Sequence, residues 1–298
     1  MSWEFATAPA RCAPGIVSMV GYRAFDVPDT VHRGLPSSLL TFIVALDDGV
    51  RAAPTVAELP DARPAPVVLG GLHVAASQVR QQPGQAGIQM AVHPLAARAL
   101  FGLPSAELSV TDFDATAVLG RRVVELRDRL AEAPGWREAF ALTARHLVGL
   151  HGSRRTPSVR PDLAYAWHLL ETSRGRMPVA AVADRVGLSA RHLATLFERE
   201  VGRTPKTVAM LMRFEYASAA IARAARGPGR LDLAGIAATA GYCDQAHLSR
   251  DFVRFTGVPP RVWLAEEFGN IQDGGHSGRS EWSHDWLESD GVHDAPGH

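Results

Sequence analysis

The apolar positions of this chain follow two periods. Up to residue 92 they alternate or fall in short blocks, which predicts strands over residues 16–25, 39–46, 67–76 and 86–92. Asp47-Asp48-Gly49 marks a turn after the second block, and the Pro- and Ala-rich stretch 52–66 reads as a loop. Beyond residue 93 the period becomes helical. A short helix is expected over 94–101, ended by Gly102-Leu103-Pro104. A longer amphipathic helix is expected over 118–131, and another over 137–150 with Phe140, Leu147 and Leu150 inward. Strands first and helices after make residues 1–150 an α+β domain. Residues 151–160 are polar and basic and read as a linker, after which Asp162 is expected to cap a helix over 163–172.

One pattern then occurs twice. Residues 182–205 read VADRVGLSARHLATLFEREVGRTP, and residues 236–260 read IAATAGYCDQAHLSRDFVRFTGVPP. In each copy a small helix ends at a Gly, Gly187 or Gly241. A Leu and a Phe follow on a second helix, Leu193 and Phe197 or Leu248 and Phe252. A Gly stands five residues after each Phe and a Pro three residues later. Two short helices joined by a tight turn need a residue that tolerates unusual backbone angles there, and glycine supplies it. Ser189 and Asp244 stand where an N-cap oxygen would meet the free N–H groups of the second helix. Val182, Val186, Leu188, Leu193, Leu196 and Phe197 form one expected mini-core. Ile236, Ala237, Ala240, Tyr242, Leu248, Phe252 and Phe255 form the other.

Between the copies, residues 206–225 carry Val208, Leu211, Phe214, Ala217 and Ile221 at helical spacing. A helix of about 20 residues spans roughly 30 Å, close to the ~34 Å repeat of the major groove along one side of B-DNA. The pattern therefore suits two reading heads on one duplex face. The slight shortfall would make full engagement bend the DNA or leave one head loose.

These residues resemble the paired helix-turn-helix domain of the AraC/XylS family of transcription regulators. The likeness covers residues 161–265, and GYCDQAHLSRDFVRFTGVPPRVW over 241–263 is close to the family's signature. It implies an all-α domain over 161–268 with two helix-turn-helix subdomains joined by a long helix. It also implies a sequence-specific regulator rather than an enzyme, with double-stranded DNA and RNA polymerase as partners, in the cytoplasm at the nucleoid. With Leu193 and Leu248 inward, the base-facing positions are Ala190, Arg191, Ala194 and Thr195 in the first head. In the second they are Gln245, Ala246, Ser249 and Arg250. Arg can bond a guanine edge in bidentate fashion and Gln an adenine edge, each worth about 1–3 kcal/mol of discrimination. The first head has two alanines here, so Arg191 would carry most of its polar readout. Arg203, Lys206, Arg254 and Arg261 are candidates for phosphate contacts, which give affinity without sequence information.

The first half says less. His32, Arg33, Pro36, His73, His93 and Pro94, with GIQMAVHPLAARALFGLPSAEL over 87–108, resemble an N-terminal domain found ahead of this paired motif. That implies a sensing or oligomerising domain, with a small-molecule effector and a homodimer both open. A regulator that is constitutive, or controlled by a protein partner, is the alternative.

Charge changes the picture in one respect. The chain carries 31 basic and 31 acidic residues, yet residues 154–265 hold 17 Lys+Arg against nine Asp+Glu, leaving 14 against 22 elsewhere. A basic C-terminal domain beside an acidic N-terminal half fits a DNA binder with a separate sensing domain. Cys12 and Cys243 are the only cysteines, so no disulfide framework or Cys-rich zinc cluster can form. No GxSxG, HExxH or phosphate-cradling Gly-rich motif occurs, and no apolar run approaches the ~20 residues of a membrane span. No cofactor is expected. Residues 269–298 hold six Gly and six acidic residues against one Arg and read as a disordered acidic tail. Its His276, His284, His293 and His298 lack the spacing of a helical metal-ligand pair.

Overall fold

The computed structural model describes residues 2–9, 12–110, 114–153, 159–228 and 230–267. Strands come first: β1 Ser2–Thr7, β2 Ile16–Asp26, β3 Thr30–Gly34, β4 Leu40–Ala45, β5 Ala52–Ala53, β6 Val67–Gly70, β7 Ser77–Gln81 and β8 Ala86–Val92. They form an antiparallel five-stranded sheet in the order β1-β2-β8-β4-β6 and a three-stranded sheet in the order β3-β7-β5. Met19 and Phe42 both pair with Met90, and all three are buried. The strand candidates over 16–25, 39–46 and 86–92 lie where β2, β4 and β8 form. The candidate over 67–76 stops at Gly70, because the chain turns out of the sheet at Gly71. The expected loop over 52–66 contains the two residues of β5 and one 3-10 turn, Leu59–Asp61.

The helices of the first half are α1 Ala97–Phe101, α2 Thr116–Leu119, α3 Arg121–Ala131 and α4 Trp136–Ser153. The single helix expected over 118–131 is two. Gly120, at φ 66° and ψ −160°, breaks the helical hydrogen bonding between α2 and α3. A helix cannot run through that conformation, which glycine alone adopts at little cost. The α4 helix packs its Trp136 ring on Gly21 of β2, where any side chain would collide with it. It also continues through 151–153, the first residues of the expected linker. Residues 154–158 of that linker and the whole of 269–298 lie outside the described residues.

The second half is helical: α5 Pro161–Thr172, α6 Val179–Arg185, α7 Ala190–Val201, α8 Pro205–Arg226, α9 Leu233–Ala240, α10 Gln245–Thr256 and α11 Pro260–Glu266. Asp162 does not cap α5. Arg160 holds the cap position and Pro161 the first helical one, where its missing N–H costs nothing. Asp162 sits in the first turn, accepting from the Leu163 N–H at 2.8 Å and pairing with Arg160 at 2.6 Å.

Two cores divide this half. One runs unbroken from the five-stranded sheet through α5, α6 and α7 to Val208 and Met212 of α8. At its seam the Trp167 ring lies 4.9 Å from His93 and 6.1 Å from Phe197. The other gathers Leu211, Phe214, Ala217 and Ile221 of α8 with Ala237, Tyr242, Leu248, Phe252, Phe255 and Trp263. The apolar positions of α8 therefore serve both cores, Val208 the first and the other four the second. At 22 residues, α8 spans roughly 33 Å. It is two residues longer than the sequence pattern suggested, which narrows the shortfall against the ~34 Å groove repeat.

Candidate nucleic-acid interface

The α6–α7 and α9–α10 pairs are built alike. Gly187 and Gly241 turn the chain between the members of each pair at φ 70° and 83°, a left-handed conformation that suits glycine. The Ser189 hydroxyl accepts from the His192 N–H at 3.2 Å, and the Asp244 carboxylate accepts from the His247 N–H at 2.6 Å. Each cap fixes where its helix starts, and so which side chains stand on its first turns. Both helices end in a left-handed glycine, Gly202 or Gly257.

Leu193 and Phe197 on α7, like Leu248 and Phe252 on α10, are fully buried. That inward anchoring turns the other face of each helix outward. Ala190, Arg191 and Thr195 are exposed and Ala194 half-buried; Gln245, Ala246 and Arg250 are exposed and Ser249 half-buried. The Thr195 hydroxyl donates back to the Arg191 carbonyl at 3.1 Å, which leaves its methyl free for an apolar contact. Arg191, Lys206, Arg250 and Arg261 are exposed and make no ion pair or hydrogen bond among the described residues. Arg254 lies with its guanidinium 5.8 Å from the Phe255 ring centre. Arg203 differs from the other phosphate candidates. It is half-buried, it donates to the Gly202 carbonyl at 3.0 Å, and it adds slightly to the lowering of the His73 pKa, which burial chiefly causes.

The two pairs are braced against each other. The turn after α5 carries Arg174, whose guanidinium lies 4.3 Å above the Tyr216 ring of α8. Arg176 of the same turn packs on Gly241, so tightly that a Cβ there would come within 2.7 Å of it.

The far ends of both outward-facing helices are held by the first half. On α7, Arg98 pairs with Glu200 at 2.7 Å, and the Ser105 hydroxyl donates to the carbonyls of Glu200 and Val201 at 3.2 and 3.1 Å. Burial opposes the charge on Glu200, but hydrogen bonds from Arg98 and Arg199 outweigh it and hold the carboxyl below its ordinary range. On α10, the Phe255 carbonyl accepts from the Ala76 N–H at 2.7 Å. On α8, Ser37 and Ser38 donate to the two oxygens of Glu215 at 2.7 and 2.5 Å. After α11, Glu267 takes His32 Nδ1 at 2.7 Å and the Arg33 N–H at 3.0 Å, while the Arg33 side chain pairs with Glu266. The sequence marked His32 and Arg33 without a role; their place is this seam. It missed Glu200, Glu215, Glu266 and Glu267 altogether. The one local signal was Glu215, an acid set between Phe214 and Tyr216 on a largely apolar helix.

A groove of about 440 Å³ opens at the same seam. Trp3, Val27, Val31 and Val56 line its apolar part, and His32 with Glu267 its polar end.

A family model described as a helix-turn-helix domain matches residues 182–266. Those residues form a paired helix-turn-helix domain of the AraC type. In this helix-turn-helix domain α7 and α10 are the second helices of the two motifs, the ones whose first turns stand exposed. No curated protein matches the chain. Among solved structures, ToxT from Vibrio cholerae O395 is similar at 12% identity and a TM-score of 0.46, over 89% of this chain and 98% of that one. Wild-type ToxT from Vibrio cholerae strain SCE256 with bound unsaturated fatty acid is similar at 10% identity and a TM-score of 0.45, over 89% and 95%. Among the described residues no helix is long and apolar enough to cross a membrane, and no group of three or more His, Cys, Asp or Glu could hold a metal ion. His276, His284, His293 and His298 lie outside the described residues.

Proposed function

We propose that this chain is a sequence-specific, DNA-binding transcription regulator that sets α7 and α10 into successive major grooves on one side of a duplex. The observation that carries the reading is the repeated construction of the two heads. Each has a capped helix whose inner face is locked by a buried Leu and Phe, and whose first turns are exposed beside basic groups that have no acidic partner among the described residues. A helix placed so can bring its N-terminal residues to base edges while its dipole and neighbouring Arg and Lys side chains meet phosphates.

In this reading Gln245 and Arg250 read bases in the second head, assisted by Ala246 and Ser249. Arg191 is the main polar reader of the first, with Ala190, Ala194 and the Thr195 methyl offering apolar contacts to thymine. Lys206, Arg254 and Arg261 meet the backbone. Arg203 can join them only by turning from its place beside the first half. The site covered would be about 17–20 bp, two groove segments one helical turn apart.

The first half would act as the regulatory domain. The groove beside His32 and Glu267 is where a small effector would touch both halves at once, and so change how firmly the second head is held. A second reading keeps the first half as a permanent brace. The unbroken core that joins it to the first head favours that version. Selection of bound sequences from a random duplex pool tests the main reading. Enrichment of two short motifs about one turn apart, stricter in the half read by α10, is the expected result. Recovery of unselected sequence would refute it. Stabilisation of the chain by a small ligand that Trp3→Ala abolishes would separate the effector version from the brace.

A further inference from the structure

The chain's acidic excess does not lie where the halves would suggest. Residues 1–153 carry 13 basic and 14 acidic side chains, close to neutral. Residues 266–298 carry eight acidic side chains and one Arg. The excess of eight positive charges on residues 154–265 is therefore offset almost wholly by the chain's last segment. The expectation of an acidic N-terminal half is corrected accordingly.

The root of that segment is fixed in a telling place. Glu267 is held by His32 and by the Arg33 N–H, and its own N–H donates to the Trp263 carbonyl at 2.9 Å. Trp263 is fully buried, 5.4 Å from Phe252 of α10. Glu267 thus stands at the base of the second head, at the end of the seven-residue helix that packs on α10. Glu266 and Glu267 are already engaged with the first half. Of the remaining six acids, Asp273 lies within a stretch holding Gly269, Gly274, Gly275 and Gly278, and Glu281, Asp285, Glu288, Asp290 and Asp294 follow it. A Gly-rich linker of fourteen residues, the separation of Glu267 and Glu281, spans roughly 20 Å root-mean-square. The α10 helix, with 12 residues, is roughly 18 Å long. Arg250 and Arg254 of α10 and Arg261 of α11 are exposed and without an acidic partner among the described residues, on helices no longer than that reach.

We propose that residues 269–298 dock on the DNA-reading face of the second head, occupying Arg250, Arg254 and Arg261 with carboxylates until a duplex displaces them. The proposal rests on the DNA-binding reading for its consequence, though not for the contact itself. Trp282 and Trp286 stand among the acids and supply flat rings for the Arg guanidinium groups to stack on, as bases would. Tethering gives the segment an effective concentration of about 1 mM. If it holds the face with a dissociation constant of about 0.1 mM, duplex binding weakens about tenfold. Because the contact is ionic, the inhibition fades with added salt.

Two measurements on the full chain decide it. Cys243 is exposed in the turn just before the cap of α10, and a photo-crosslinker placed there, in a Cys12→Ala background, samples the reading face. The expected product joins Cys243 to residues 281–290 of the same chain and is suppressed by added duplex. A product joining two chains would overturn the proposal by assigning the face to a second copy, and no product with the tail would overturn it outright. Separately, a chain carrying Asp273→Asn, Glu281→Gln, Asp285→Asn, Glu288→Gln, Asp290→Asn and Asp294→Asn should bind random duplex about tenfold more tightly at low salt, the two forms converging at high salt. Equal affinities at low salt, or an offset that salt leaves unchanged, would overturn the inhibition. Failure of both forms to bind any duplex would defeat the DNA-binding reading, while the crosslink still decides the docking.

Discussion

Replacing Phe252 by Ala should unfold one reading head and leave the other standing. Phe252 is fully buried, with Phe214 of α8 at 5.0 Å and Trp263 of α11 at 5.4 Å on its two sides. Removing such a ring costs about 3–5 kcal/mol, transfer and cavity together. The core it belongs to is separate from the one that includes the first head and the five-stranded sheet. A single core of fewer than about 70 residues supplies on the order of 3–5 kcal/mol in all. The loss therefore matches what that core supplies, leaving the contacts to the first half at Ala76, Ser37, Ser38 and His32 to hold the second head. Hydrogen exchange should show α9, α10 and α11 losing protection while β2, β8 and α7 keep theirs. DNA protection should shrink to one groove segment. Phe252→Leu, nearly volume-conserving, should cost less than about 1.5 kcal/mol and keep both segments. Exchange that rises equally throughout the chain, or two protected segments with the Ala variant, would refute the division into two cores.

Other outcomes follow from the same contacts. Arg250→Ala should relax base preference at one position of the site by about 1–3 kcal/mol, measured by competition between single-base variants of a selected duplex. Lys206→Ala should weaken binding evenly across sequences and lower the slope of log affinity against log salt by about one. Glu215→Ala removes the carboxylate that accepts from the buried Ser37 and Ser38 hydroxyls, bonds to a charged group worth about 1.5–3 kcal/mol each, and should speed proteolysis between the halves. The folded-state pKa of Glu200 lies below its ordinary 4.5, so the Arg98 pairing stabilises above about pH 4.5 and is lost as pH falls through the lower folded value. The difference in melting temperature between the parent and Arg98→Ala should therefore be full at pH 7 and vanish in acid.

The parts legible in the sequence were those where burial has a period. Leu193, Phe197, Leu248 and Phe252 recur at fixed distances from turn glycines, so both heads could be placed to within a residue or two. The long blocks of β2, β4 and β8 were plain for the same reason, since their buried residues bunch or alternate. The three-stranded sheet was not legible. Every residue of β7 is half-buried, and no residue of β3 is fully buried, so neither strand shows a two-residue alternation. The seam between the halves was hidden for another reason. His32 meets Glu267, and Ser37 meets Glu215, across most of the chain, and no local pattern reports on such a contact. The charge count misled for want of a finer division, since the acids were credited to the half that the tail does not belong to.

Two heads spaced by α8 should face one side of a duplex. Hydroxyl-radical footprinting combined with guanine-methylation interference on a selected site tests that spacing directly. The expected record is two major-groove segments about 10 bp apart on the same face, with the second lost in Gln245→Ala/Arg250→Ala. A single protected segment, or two on opposite faces of the helix, would contradict it.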